Sequence, residues 1–159
     1  MTSQNDVRRV RNSMSNDVVS IRSESSVHEA LDLLVENRIS ALPVVDKANR
    51  CVGIISTTDL IDITRDVDHD VQYAEELDPT SRRWLIDRLI HTVGDEPLSS
   101  YMTENVSTVY VEDSLAKAAR EMLKNRVHHM PVVDQREHLV GMISTMDILA
   151  EYVEETSSV

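Results

Sequence analysis

Apolar residues recur with helical spacing at two places in the chain. The first stripe consists of Val27, Ala30, Leu31, Leu34 and Val35, and the second of Leu115, Ala118, Ala119, Met122 and Leu123. Positions i, i+3, i+4, i+7 and i+8 fall on one face of an α-helix, so each stripe predicts an amphipathic helix with one buried face. Ser26 and Glu29 have the spacing of a capping box, which predicts where the first helix begins.

Short runs rich in β-branched residues follow each predicted helix. They cover residues 42–46 and 51–56 after the first helix, and 130–134 and 139–144 after the second. Polar residues 47–50 separate the first two runs, as a hairpin-like connection would. An extended stretch precedes each helix, at 18–21 and 106–109, and a second helix follows each pair of runs. The pattern therefore predicts the order β-α-β-β-α, twice.

The two halves are related by an internal repeat. When the chain is shifted by 88 residues, segment 14–61 aligns with 102–149 without a gap, and 17 of the 48 positions are identical. Leu42-Pro43-Val44-Val45-Asp46 aligns with Met130-Pro131-Val132-Val133-Asp134, and the glycines and aspartates that follow also coincide. Such a repeat predicts a duplicated fold unit, each copy leaving an apolar face to bury.

The repeat divides the chain into five segments. We assign residues 1–13 to an N-terminal tail, 14–65 to the first copy, 66–97 to an insertion, 98–153 to the second copy and 154–159 to a C-terminal tail. The insertion opens with Asp66, Asp68 and Asp70. It continues as a predicted helix between Pro79 and Gly94, where Trp84, Leu85 and Leu89 offer an apolar face to the repeats or to another subunit.

The motif Leu-Pro-Val-Val-Asp, a turn, then Val-Gly-Ile-Ile-Ser-x-x-Asp-Leu resembles the CBS domain, named after cystathionine β-synthase. Two such motifs in register resemble a tandem CBS pair, or Bateman module. The resemblance implies an α/β (α+β) fold in which two β-α-β-β-α units pack with pseudo-twofold symmetry. It also implies clefts between the copies that bind AMP, ADP, ATP or S-adenosylmethionine, and pairing of modules into a homodimer.

Asp59 and Asp147 are the first candidate ligand-binding residues. In the family, the aspartate of this Ser-x-x-Asp motif binds ribose, and a carboxylate can accept hydrogen bonds from both ribose hydroxyls. Both motifs also have the form of a capping box, which is useful at any helix start, and the two roles are compatible. Ser56, Thr57, Ser144 and Thr145 supply hydroxyls at the same helix starts, for ribose or phosphate by resemblance, or for capping.

His128 and His129 distinguish the second copy from the first. Their counterparts are Ser40 and Ala41, so the fold does not demand an imidazole there. The position resembles the phosphate-contacting site of the γ subunit of AMP-activated protein kinase, where the second residue is arginine. The alternative is a pair of loop histidines, since an unperturbed histidine is mostly neutral at pH 7.

By resemblance, further residues line the adenine pocket, although each is equally expected as an ordinary core or strand-edge residue. They are Val18, Ser20, Ala41 and Pro43 in the first copy, and Val106, Thr108, His129 and Pro131 in the second. Arg38 and Arg126 recur where the first helix of each copy ends, and there they complement the helix C-terminus or contact phosphate. Cys51 is interpreted as a buried strand residue, and no metal site is predicted.

The composition disfavours several classes of function. The net charge of −12 disfavours nucleic-acid binding, and no apolar run is long enough to span a membrane. A single cysteine and a polar start fit a cytoplasmic location. With three glycines and no Walker, dinucleotide-binding or zinc motif, the chain is not predicted to be an enzyme or to require a cofactor.

The leading hypothesis is therefore a sensor of an adenosine-containing ligand that signals to a regulated protein. A ligand-free oligomerisation module and an enzyme completed at a dimer interface are the alternatives.

Overall fold

The structure is a computed structural model that describes residues 8–67 and 79–157. Its helices are α1 (Val10–Ser13), α2 (Val27–Asn37), α3 (Thr57–Val67), α4 (Pro79–Val93), α5 (Leu115–Asn125) and α6 (Thr145–Ser157). Its strands are β1 (Ile21–Arg22), β2 (Ala41–Val45), β3 (Cys51–Ser56), β4 (Thr103–Glu104), β5 (Val109–Tyr110), β6 (His129–Val133) and β7 (Leu139–Ser144). A 3-10 helix spans Leu98–Ser100. The predicted mixed fold, with the order β-α-β-β-α in each copy, is confirmed.

Helix α2 begins where the capping box predicts, and a serine side chain also caps the start of α5. Ser26 Oγ accepts a hydrogen bond from Glu29 N at 3.2 Å, and Ser26 N donates to Glu29 Oε2 at 3.0 Å, so the capping box is complete. Ser114 Oγ accepts from Lys117 N at 3.2 Å, but a lysine cannot return the second bond. The N-terminus of α2 is therefore held by one more hydrogen bond than that of α5.

The predicted apolar stripes are buried except at Ala119, which is half-buried, and at their last positions, which are exposed. Val35 is 60% exposed and Leu123 is 79% exposed. Each lies roughly 90° around its helix from the centre of the stripe, so it faces solvent instead of the core. Soon after them, Arg38 and Arg126 end the helices in the left-handed conformation, with φ of 54° and 55°.

Two sheets carry the strands. The first has the order β1-β2-β3-β4 and the second the order β5-β6-β7; β1 runs parallel to β2, and β5 parallel to β6. The strands that open the copies pair later than the sequence predicts, at Ile21–Arg22 and Val109–Tyr110 instead of 18–21 and 106–109. Only these later residues meet a partner, since the ladders join them to Val44, Val45, Val132 and Val133.

The chain forms two compact units. The first-copy unit consists of Val19–Lys47 and the described parts of Val52–Val106, and the second-copy unit of the described parts of Met1–Val18, Ala48–Cys51 and Ser107–Val159. Residues 14–18 and 102–106, which match in the repeat, are thus each grouped with the other copy. The compact units and the sequence repeats are different divisions of the same chain.

Two glycines make this exchange of segments sterically feasible. A Cβ on Gly53 would lie 2.8 Å from Met102 Sδ and 2.9 Å from the Thr103 carbonyl oxygen, and one on Gly141 would lie at the same distances from Met14 Sδ and the Ser15 carbonyl oxygen. Both distances are too short for a real Cβ contact. Glycine is therefore required at these two positions so that the exchanged backbone can cross β3 and β7.

Residues 8–13, which the repeat assigns to a tail, pack into the second-copy unit. Val10 is completely buried, and its N–H donates to the Asp113 carbonyl at 2.9 Å. Arg8 Nη1 donates to the Glu151 carbonyl at 2.8 Å, and Ser13 Oγ donates to Glu151 Oε1 at 2.8 Å. This segment is therefore hydrogen-bonded to α6, a contact that its polar sequence does not indicate.

Each unit has its own core. The buried core residues of the first-copy unit are Ile21, Val27, Ala30, Leu31, Leu34, Leu42, Val44, Ile55, Leu60, Val93 and Leu98. Those of the second-copy unit are Val10, Val109, Leu115, Ala118, Met122, Met130, Val132 and Ile143. Within the described residues, no helix is long and apolar enough to cross a bilayer.

Candidate functional site

Asp59 lies where β3 passes into α3. Its Oδ2 accepts hydrogen bonds from Ser56 N and Ser56 Oγ, both at 2.7 Å, and its own N–H donates to Ser56 Oγ at 3.2 Å. Ser56 and Asp59 therefore cap the start of α3, as their spacing predicts. Thr57, the first residue of α3, is exposed, and its N–H donates to the Ser40 carbonyl at 3.0 Å.

Asp147 repeats this geometry where β7 passes into α6. Its Oδ2 accepts from Ser144 N at 2.7 Å and from Ser144 Oγ at 2.8 Å, and its N–H donates to Ser144 Oγ at 3.2 Å. No residue that the structure describes donates to Oδ1 of Asp147. One carboxylate oxygen thus holds the helix start, and the other has no donor among the described residues.

Thr103 makes the two aspartates inequivalent. Its Oγ1 lies 3.4 Å from Asp59 Oδ1, within reach of a weak hydrogen bond. The repeat counterpart of Thr103 is Ser15, which pairs with Met142 through its backbone only. The sequence gives no sign of this contact, because Thr103 reaches Asp59 in the exchanged strand β4, which pairs with β3.

The second-copy unit brings the two histidines to its Ser-x-x-Asp motif. Thr145 N donates to the His128 carbonyl at 3.0 Å, and His129 faces Ser144 in the antiparallel ladder of β6 and β7. Both histidines are exposed. His128, His129, Ser144, Thr145 and Asp147 therefore form one cluster, which we call the α6 site.

The other pocket candidates are less accessible or less clearly grouped. Pro43 and Pro131 are buried in β2 and β6, and Ala41 is half-buried where β2 begins. Val18, Ser20, Val106 and Thr108 are half-buried and precede β1 or β5. Val18 and Thr108 belong to the second-copy unit, whereas Ser20 and Val106 belong to the first-copy unit.

A carboxylate in the β6–β7 turn was not singled out by the sequence. Asp134 Oδ1 accepts from Arg136 N at 2.8 Å and His138 N at 3.0 Å, and Asp134 Oδ2 lies 3.2 Å from His138 Nδ1. Burial raises the pKa of Asp134, but the hydrogen bonds from His138 and Arg136 together outweigh it and leave that pKa below its usual value. The geometry is that of a turn closed by its own side chain.

Two sets of candidates remain, Cys51 and the acidic start of the insertion. Cys51 is half-buried at the first position of β3, so it is less enclosed than predicted. Asp68, His69 and Asp70 of the insertion, and the side chain of Asp66, lie outside the described residues. Within the described part of the chain, no group of His, Cys, Asp and Glu could hold a metal ion.

The chain is similar to known proteins over most of its length. The model of the CBS domain matches residues 7–66 and 98–154. CBS domain-containing protein CBSX1, chloroplastic, of Arabidopsis thaliana is 29% identical over 137 residues, which are 84% of this chain and 58% of that protein. The chain thus spans little more than half the length of that relative.

Solved structures share the fold. Arabidopsis CBSX2, crystallised in complex with AMP, superposes with a TM-score of 0.71 at 23% identity, covering 94% of this chain and 98% of that one. The CBS domain pair of protein MJ0100, in complex with 5′-methylthioadenosine and S-adenosyl-L-methionine, gives 0.69 at 22% identity, with the same coverage.

Proposed function

This chain belongs to the CBS-domain family, and from that premise we propose that it is a regulatory module that binds an adenosine-containing ligand and relays its presence to a partner protein. The ligand is AMP, ADP, ATP or S-adenosylmethionine, and the chain itself performs no catalysis. The observation that carries the proposal is Oδ1 of Asp147, beside the capped start of α6, to which none of the described residues donates.

The α6 site has the chemistry that a nucleotide needs. An ionised carboxylate accepts hydrogen bonds from ribose hydroxyls, and the positive end of the helix dipole at the start of α6 favours phosphate. The ligands in the CBSX2 and MJ0100 structures all contain adenosine or a derivative of it, which supports this ligand class for the present chain.

Substitution of the aspartates tests the ribose role. Asp147→Asn keeps an oxygen for the helix cap but removes the charge, so the affinity for AMP should fall by about 1.5–3 kcal/mol, roughly ten-fold to a hundred-fold. Asp59→Asn should act likewise if AMP occupies that site too. Calorimetry would measure both, with the exposed Asp32→Asn as a matched control. Unchanged affinity in both single variants and in the double variant would refute the role.

The histidines should make phosphate binding depend on pH. An imidazole gives a charge-assisted hydrogen bond to phosphate only when it is protonated. AMP affinity at the α6 site should therefore rise as pH falls from about 8 to about 6, whereas adenosine affinity should change much less. Calorimetry on the wild type and on a His128→Ala, His129→Ala variant tests this. An identical response of AMP and adenosine would reduce the two histidines to loop residues.

A ligand-free interaction module is the alternative function. Thermal unfolding separates the two, because a ligand that binds only the folded chain must raise its melting temperature. A shift with AMP or S-adenosylmethionine, and none with guanosine, supports the sensor. The absence of a shift with every adenosine derivative supports the alternative.

The proposed module is a homodimer. One exposed face of α6 carries Met146, Leu149, Tyr152 and Val153, which are 69%, 52%, 64% and 58% exposed. Apolar side chains grouped on one helix face are costly in water and are typical of an interface. Trp84 in α4 is also exposed, and the side chains of Leu85 and Leu89, which the sequence groups with it, lie outside the described residues.

A further inference from the structure

Helices α2 and α5 are counterparts in the repeat, yet their outer sides carry opposite charges. At three positions an acidic residue of α2 aligns with a basic residue of α5: Glu29 with Lys117, Asp32 with Arg120, and Glu36 with Lys124. All six residues are exposed. The sequence of α2 contains no lysine or arginine, and the only acidic residue of α5 is the half-buried Glu121. The outer side of this helix is therefore acidic in the first copy and basic in the second.

One exposed apolar residue lies within each charged surface. Val35 is 60% exposed and Leu123 is 79% exposed, and these two residues also align in the repeat. Positions i, i+3, i+6 and i+7 lie within about 120° of one another around a helix, so each apolar residue shares its side with three charged ones. We call Glu29, Asp32, Val35 and Glu36 the α2 face, and Lys117, Arg120, Leu123 and Lys124 the α5 face.

Some of these charged residues have local contacts within their own helix or at its start. Asp32 Oδ2 lies 3.2 Å from His28 Nε2, and Lys117 Nζ lies 2.9 Å from Asp113 Oδ2. Glu29 completes the capping box of α2. A neutral histidine does not cancel the charge of Asp32, so the α2 face keeps its acidic character near neutral pH.

Three of the charged residues have no such contact. Among the residues that the structure describes, none forms an ion pair or a side-chain hydrogen bond with Glu36, Arg120 or Lys124. These three side chains are exposed near the apolar residue of their face. An apolar centre with a charged rim is the usual composition of a protein interface.

We propose that two copies of this chain pair with the α2 face of one copy against the α5 face of the other. Acidic side chains then meet basic ones, and Val35 and Leu123 are buried between them. Two such contacts, with the roles of the copies exchanged, give a closed dimer. A second copy is the favoured partner because one chain carries both complementary faces, matched position by position. The proposal rests on the proposed homodimer and specifies how its two chains are oriented.

Charge complementarity favours this arrangement over a pairing of like faces. Two α2 faces would bring carboxylates together and two α5 faces would bring cations together, and like charges in contact are unfavourable. The net charge of −12 repels the chains in either arrangement, so it does not decide between them. Helix α5 also packs against α6 in the same unit, so the α5 face lies on a neighbour of the helix that carries the apolar dimer face.

Charge reversal tests the orientation. Asp32→Lys combined with Glu36→Lys makes the α2 face basic, and the dissociation constant of the dimer should rise about ten-fold, because attractive contacts become repulsive. This rise is expected although the net charge moves closer to zero, which by itself favours pairing. Adding Arg120→Glu and Lys124→Glu to the same chain reverses both faces and restores the net charge. This fourfold variant should dimerise as the wild type does.

Sedimentation equilibrium at constant salt measures these constants, since salt screens both the attraction between the faces and the repulsion between the chains. Asp17→Lys combined with Glu104→Lys is the matched control. It makes the same change of charge at two exposed positions outside both faces and should not weaken the dimer. Circular dichroism checks that each variant keeps its helices.

Two outcomes would overturn the orientation alone. One is an unchanged or lower dissociation constant after reversal of the α2 face, and the other is a loss that the fourfold variant does not recover. A wild type that stays monomeric would overturn the homodimer as well. Leu149→Glu combined with Tyr152→Glu separates these cases, since a dimer that this variant breaks and reversal of the α2 face leaves intact keeps the homodimer without the proposed orientation. AMP affinity, measured by calorimetry on the wild type, tests the sensor independently.

Discussion

At the scale of single residues, Asp59 and Asp147 each cap a helix with one carboxylate oxygen, so this structural role does not preclude the proposed binding role. Each carboxylate uses Oδ2 to hold a serine at the start of a helix. The equal geometry of the two motifs comes from the repeated sequence, and their difference at Oδ1 comes from Thr103. We therefore expect the Asp147 carboxylate to be the readier ligand acceptor of the two.

Tyr101 offers a prediction about proton binding. Its hydroxyl donates to Glu96 Oε2, and this hydrogen bond, followed by burial and the charge of Glu96, raises the pKa of Tyr101 to about 12. Because the folded pKa exceeds that of the unfolded chain, the pair stabilises the fold below pH about 10 and loses that contribution as pH rises toward 12. Glu96→Gln should bring the ionisation of Tyr101 to lower pH.

Ultraviolet titration of tyrosinate measures this shift, with Tyr101→Phe identifying the signal. Glu137→Gln is the matched control, since Glu137 raises the pKa of Tyr110 through its own hydrogen bond. A late ionisation that persists in Glu96→Gln would contradict the assignment.

At the scale of elements, short backbone crossings join each sheet to a distant part of the chain. The crossings rest on few hydrogen bonds: Ser15 and Met142 exchange two, at 2.9 Å and 3.0 Å. A methionine covers each crossed glycine, Met14 over Gly141 and Met102 over Gly53. Side-chain packing therefore complements a very short ladder.

Gly141→Ala should destabilise the second-copy unit by about 1–3 kcal/mol, the usual cost of overpacking. The added Cβ meets both a side chain and the Ser15 carbonyl, so truncating Met14 to Ala should recover only part of the loss. Denaturant unfolding of the single and double variants measures this, with Gly53→Ala as the matched change in the first-copy unit. A loss under about 0.5 kcal/mol would mean that the crossing backbone moves freely aside.

At the scale of the whole molecule, net charge opposes the pairing that the α6 face favours. Two chains of charge −12 repel each other, and salt screens that repulsion. Salt does not weaken the stabilisation that comes from burial of apolar surface. We expect a homodimer in sedimentation experiments at a protein concentration of about tens of micromolar, which suits interfaces of ordinary affinity. The dimer fraction should be larger at higher salt.

Leu149→Glu combined with Tyr152→Glu should shift this equilibrium to monomers. Trp84→Ala is the control, because it removes an exposed aromatic residue from α4 and should leave the dimer intact. A monomeric wild type, or a dimer lost only in Trp84→Ala, would contradict the assignment of the interface to α6.

Much of the fold follows from local patterns in the sequence. The start of α2 at Ser26, most of the buried positions of the two stripes and the order β-α-β-β-α were predicted, because capping and periodicity act over three or four residues. The Ser-x-x-Asp motifs were predicted for the same reason, and their capping geometry is seen in the structure. Their ligand role stays a prediction.

The sequence by itself determined that the chain holds two copies of one unit, since a gapless repeat carries its periodicities with it. Only the tertiary structure decided which copy each opening segment packs with, that Val10 is buried, that Thr103 reaches Asp59, and that Trp84 faces solvent. The contacts of Val10 and Thr103 depend on residues far apart in the chain. Periodicity indicates which face of an element is apolar, but it does not specify which other elements will pack against that face or pair with its edges.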